Sequence, residues 1–166
     1  MKKRVISMIT SLAIFCSIVG ISATSVQASE NDLSKVDGSY LTNDDYSEGY
    51  SSNSLQRGKH MMDGECSISK AGRDEIYCYG STTANHEVDK LAVLVYVDQY
   101  QEDTGEWGQI DAWVEEATND YFVATGKSIV VDRGYYYRVH ADHFVVDGDD
   151  PIEETFSLTN GIYLPK

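Results

Sequence analysis

The chain has 166 residues, with 27 Asp and Glu against 13 Lys and Arg and a net charge of −14. That length supports one domain with a real core and is short for two. The acidity argues against nucleic acid and anionic lipid surfaces as partners, because like charges repel.

The charge is uneven along the chain. Lys2, Lys3 and Arg4 open it, an apolar stretch runs from Val5 to Ile21, and small and polar residues lead to Val26-Gln27-Ala28-Ser29. A basic start, an apolar middle and a small residue at the cut are the layout of a secretory signal peptide. Residues 1–28 are therefore expected to be removed after Ala28, giving a secreted, extracellular protein with no membrane span in the mature chain. Removal takes three cations and no acid, so the charge of −14 becomes −17.

Residues 29–60 read as an acidic, Ser-rich tail. Seven serines and six acids precede Leu55, with few aliphatics. Such a composition buries too little apolar surface to offset the entropy of ordering, so the tail is expected to be disordered.

From Met61 to the end, residues 61–166, the period is close to two. The clearest strand is Val88 to Tyr100, where Leu91, Val93, Val95 and Val97 form an apolar face and Ala92, Leu94, Tyr96, Asp98 and Tyr100 a mixed one. One face of such a strand must be core. The turn Glu102-Asp103-Thr104-Gly105 then leads into Trp107 to Val114, which reads as a hairpin. Glu65–Lys70, Glu75–Thr83, Tyr121–Val131, Tyr135–Val146 and Glu153–Leu164 complete seven strands, and residues 112–120 read as one helical turn. Seven short strands at this spacing predict an all-β, antiparallel seven-stranded β-sandwich of immunoglobulin or fibronectin type.

Cys66 and Cys78 are the two cysteines of the mature chain. A three-residue loop Ala71-Gly72-Arg73 would set Lys70 opposite Asp74, Ile68 opposite Ile76 and Cys66 opposite Cys78. That register predicts a disulfide, which over so short a loop would contribute about 2–3 kcal/mol at most.

Three clusters are candidates for a site. His140, Asp142 and His143 form a His/Asp cluster, but His143 points to the opposite face of a strand, so a metal would also need His60, His86 or a distant acid. Asp147, Asp149, Asp150 and Glu153 gather hard oxygen donors suited to calcium, without the alternating Asp frame of a calcium loop. Tyr77 and Tyr79 fall on a face turned away from the core, Tyr96 and Tyr100 share the mixed face of their strand and Trp107 lies in or beside the next, a set suited to an aromatic strip that binds sugars or peptides. No Gly-x-Ser-x-Gly elbow, His-Glu-x-x-His, P-loop or dinucleotide fingerprint occurs, so no catalytic residue is assigned and no cofactor beyond calcium is considered.

The segment Gly134-Tyr135-Tyr136-Tyr137-Arg138-Val139-His140-Ala141 resembles the penultimate strand of fibronectin type III domains. On that resemblance Tyr135, Tyr137, Val139 and Ala141 face inward and Arg138, His140 and Asp142 outward. More broadly, Met61 to Gly64, Gly80-Ser81-Thr82-Thr83-Ala84, Val88-Asp89, Tyr136-Tyr137-Arg138-Val139 and Ser157-x-Thr159-Asn160-Gly161-Ile162 resemble a family of small secreted Gram-positive bacterial proteins carrying a domain of unknown function. That resemblance implies a secreted β-rich protein and supplies no activity. The sequence thus points to a non-enzymatic binding or interaction module with an extracellular or cell-surface ligand. The alternative is a secreted hydrolase acting on cell-wall or extracellular glycan through surface carboxylates.

Overall fold

The computed structural model describes residues 33–51 and 58–166. The signal peptide read at residues 1–28 lies outside them, as do residues 29–32 and 52–57 of the tail. The described residues form nine strands and no helix: β1 Lys35–Val36, β2 Ser39–Thr42, β3 Tyr46–Tyr50, β4 Met61–Lys70, β5 Glu75–Gln101, β6 Glu106–Val130, β7 Tyr135–Val146, β8 Glu153–Leu158 and β9 Gly161–Leu164. No helix of these residues is long and apolar enough to cross a membrane.

The expected sandwich is replaced by one curled, mixed sheet. Its order is β1-β2-β9-β7-β5-β4-β3, with β6 on β5 and β8 on β7. The pairs are antiparallel except β2 with β9, which is parallel. The physical reason is the length of β5 and β6. β5 pairs with β4 through residues 76–84 and with β7 through residues 90–99, while β6 accompanies it along both halves. Its pairing with β6 breaks register between Thr83 and Val88. There the ribbon folds over, so one hairpin serves two layers that separate sheets would otherwise supply. Gly80 packs on the second half of its own strand, where a Cβ would come within 2.6 Å of Val95.

The core lies inside the curl. Leu91, Val93, Val95 and Val97 are fully buried, as the alternation requires, against Ile68, Ile76, Cys78, Tyr137, Val139, Ala141 and Ile162. Each such side chain contributes about 1.5–3 kcal/mol of transfer free energy. The inward face expected for β7 forms from Tyr137 onward, whereas Tyr135 is exposed at the strand's start.

Two local expectations are corrected. Residues 112–120 belong to β6 and are extended. The stretch 33–50 of the expected tail is ordered as β1, β2 and β3. Asp37 and Gly38, with φ of 44° and 84°, make the left-handed turn that joins β1 to β2. Arg138 then clamps that turn, donating to the Asp37 carbonyl at 2.8 Å and to Ser39 Oγ at 3.2 Å.

The register of β4 on β5 also differs from expectation. Cys66 pairs with Gly80, Cys78 with Ile68 and Lys70 with Ile76. The loop is two residues longer than a three-residue turn, and the Ala71 and Gly72 amides close it on the Glu75 carbonyl at 2.9 and 3.1 Å. The cysteines are therefore diagonal neighbours, about 7–8 Å apart in such a ladder, beyond ordinary disulfide reach. Both are buried free thiols.

Candidate functional site

Three donors from distant parts of the chain converge at one end of the fold. His60 precedes β4, His86 lies in the bend of β5, and Asp147 follows β7. His60 Nδ1 is 3.4 Å from His86 Nε2 and 3.3 Å from Asp147 Oδ2, and His86 Nε2 is 3.3 Å from that same oxygen.

The cluster is held from outside by bonds that fix each ring. His60 Nε2 meets Asp150 Oδ2 at 2.8 Å, and Asp150 also pairs with Lys59 at 2.8 Å. Those two partners hold the Asp150 carboxyl below its usual range, Lys59 having the larger effect. His86 Nδ1 contacts Asn85 Oδ1, and the Asn85 amide is oriented by donating to the Lys59 carbonyl at 2.9 Å. Glu153 accepts from the His60 and Met61 amides at 3.0 and 2.7 Å, which fixes the start of β4. The Gly148 amide donates to Asp89 Oδ2 at 2.9 Å, which ties down the β7–β8 turn.

The sequence-derived sets are thus regrouped. Of the four acids read as calcium donors, Asp147 joins the two histidines, Asp150 and Glu153 buttress His60, and Asp149 is exposed. Their oxygens face different partners instead of one centre. The His140, Asp142 and His143 set does not converge. His140 bonds Asp98 at 3.1 Å on the outer face, and His143 is fully buried on the inner one.

The aromatic residues split in two. Tyr100 packs on Trp107 with ring centroids 5.5 Å apart and on Tyr136 at 6.4 Å, and Tyr136 packs on Tyr163 at 4.9 Å. Tyr96 stacks on His140 at 4.5 Å. Tyr77 instead lies over Gly126 of β6, with Tyr79 paired to Gly126 in the ladder. The five therefore form no single strip.

The other conspicuous surface is β6 itself. It pairs with β5 along one edge, and no second strand pairs with it among the described residues. Ile110, Val114, Tyr121, Phe122 and Val130 are exposed along it. Five acids, Glu106, Asp111, Glu115, Glu116 and Asp120, accompany one lysine, Lys127.

A family model matches residues 28–161. The chain belongs to DUF6147, a family of unknown function. No curated protein matches it. Membership therefore bears on kinship, and the site must be read from its own geometry.

Proposed function

We propose that this DUF6147 protein is a secreted, non-enzymatic interaction module that takes an extended, cationic polypeptide segment onto the free edge of β6. The observation that carries this reading is the run Asp111–Thr118. It holds continuous register with β5, from Val97 opposite Asp111 to Lys90 opposite Thr118. A register shift at Ile110 bounds it on one side, and Asn119, with φ of 52°, bounds it on the other. Eight residues of straight edge are enough to template an added strand.

Chemistry selects the partner. Exposed edges are usually blunted by lysine or proline, and this run contains neither. Asp111 and Glu116 are engaged by Lys127 and Lys90, each at 2.8 Å, while Glu115 is exposed beside Val114. Asp111 and Glu115 flank Trp113 on one face of the run while Ala112 and Val114 lie on the other, which matches a strand that alternates basic and apolar side chains. A second copy on this edge would bring like acids together, at a cost.

A labelled peptide of alternating lysine and valine tests this by fluorescence polarisation, with an alternating glutamate and valine peptide as control. The cationic peptide binds, binding weakens with added salt, and the amides of 111–118 gain exchange protection. Val114→Pro abolishes the effect. Protection appearing around Tyr77 and Tyr79 instead, equal binding of both peptides, or self-association through this edge would overturn the proposal.

A further inference from the structure

We infer that His60, His86 and Asp147 form a binding site for a divalent late first-row metal ion, zinc above all. Three donors that bind one tetrahedral ion through bonds of about 2.0–2.1 Å lie about 3.3–3.4 Å from one another. The separations here are 3.4, 3.3 and 3.3 Å. As hydrogen bonds these distances are long, since such bonds fall at about 2.7–3.2 Å.

The proton inventory points the same way. His60 Nε2 faces the Asp150 carboxylate, an acceptor, so the ring proton belongs on Nε2 and Nδ1 carries a lone pair. His86 Nδ1 faces the Asn85 side-chain oxygen, which the bond from Asn85 Nδ2 to the Lys59 carbonyl holds in that orientation. His86 Nε2 therefore also presents a lone pair. Asp147 Oδ2 supplies a third. With both rings neutral, three lone pairs turn toward one point, an arrangement that a cation relieves.

The surroundings fit a metal centre as well. Ligating histidines commonly give their other N–H to a carboxylate or carbonyl, which fixes the ring and raises its basicity. Asp150 and Asn85 stand in those places. Two imidazoles and one carboxylate favour zinc, copper or nickel over calcium, which takes six to eight oxygens. His60 is 4% exposed, His86 47% and Asp147 29%, so the fourth tetrahedral position opens toward solvent. The site is independent of the β6 edge, sharing no residue with it.

The test uses the secreted protein stripped with a chelator and titrated with zinc, and separately with cobalt as an optical probe of coordination. One zinc binds per chain, cobalt gives the intense visible bands of four-coordination, and zinc raises the melting temperature while calcium does not. His86→Ala, a change at a half-exposed bend residue, and the near-isosteric Asp147→Asn each lower zinc affinity at least 100-fold. Asp150→Asn lowers it about 10–100-fold. His140→Ala leaves it unchanged. A response to calcium in place of zinc, no zinc uptake at micromolar concentration, or full affinity in folded His86→Ala and Asp147→Asn would overturn the assignment.

Discussion

Gly64 on β4 lies flat against the imidazole of His143 on β7. Any Cβ at position 64 would overlap that ring, so the absence of a side chain is what lets the two layers close there. Gly64→Ala is expected to cost about 1–3 kcal/mol by overpacking, read as a lower urea midpoint with unchanged slope. Because the clash has one identified partner, Gly64→Ala should cost far less in a His143→Ala background. Additive losses in the double mutant would show that the clash is not with His143.

His143 also makes stability depend on pH. Thr82 donates its hydroxyl to the Ala92 carbonyl at 2.9 Å, so at 3.0 Å it accepts from His143 Nδ1–H, and Ser157 Oγ meets Nε2 at 2.8 Å. The neutral ring is fully satisfied, and burial pushes its pKa from 6.5 down to about 4. The folded state thus refuses a proton that the unfolded chain accepts. The contribution is complete above pH 6.5, falls as pH drops toward 4 and levels off below it. At about 1.4 kcal/mol per unit the full effect is about 3 kcal/mol. Urea melts across this window should show a steeper loss in the wild type than in His143→Gln. Parallel slopes would sink the assignment to this residue.

How much of this was legible follows from where each residue packs. The face Leu91, Val93, Val95, Val97 was readable because one side of β5 meets only core. β6 was readable at its two ends, Trp107–Val114 and Tyr121–Val131, but not as one strand, since neither of its faces is consistently buried and residues 112–120 carry no period-two signal. β1 and β2 carried a signal in Asp37-Gly38, a dipeptide suited to a two-residue hairpin, but the surrounding acids and serines outweighed it. The register of β4 on β5 turned on loop length, which composition does not encode. His60, His86 and Asp147 are far apart in sequence, and the bend in β5 that unites them depends on packing of the two half-strands.

Arg138 joins the order of β1 and β2 to a buried ion pair. Its Nε donates to Asp98 Oδ2 at 2.9 Å, both side chains being nearly inaccessible, and its guanidinium lies 4.5 Å over the Trp107 ring. Trp107 in turn donates to the Val36 carbonyl at 3.1 Å. Burial alone would raise the Asp98 carboxyl pKa, but hydrogen bonds from His140 and Arg138 outweigh it and hold the group below its usual range. Arg138→Ala leaves that carboxylate buried with His140 as its remaining side-chain partner, at a cost of about 3–5 kcal/mol. Exchange protection should be lost at the Leu41 amide, which bonds the Ser34 carbonyl at 2.8 Å. Retained protection there would show that the parallel pairing with β9 holds this segment without the clamp.

Cys66 and Cys78 give the last test. Burial pushes both thiols up to about 12, and the Cys66 thiol contacts the Val139 carbonyl at 3.7 Å. The thiolate is the reactive form, and at mildly alkaline pH almost none exists at either site. Iodoacetamide should therefore leave both unmodified in the native protein and modify both in denaturant, with the peptide masses of unoxidised cysteine. A mass lower by two hydrogens would require Cys66 to stand opposite Cys78. That places Ile68 opposite Ile76, a two-residue slip of β4 along β5. Such a slip keeps every side chain on its own face, because the pleat repeats every two residues. It would nevertheless take Gly80 away from Cys66 and lengthen the closing bonds at Ala71 and Gly72. The labelling experiment thus reads the register of the central hairpin as well as the state of its sulfurs.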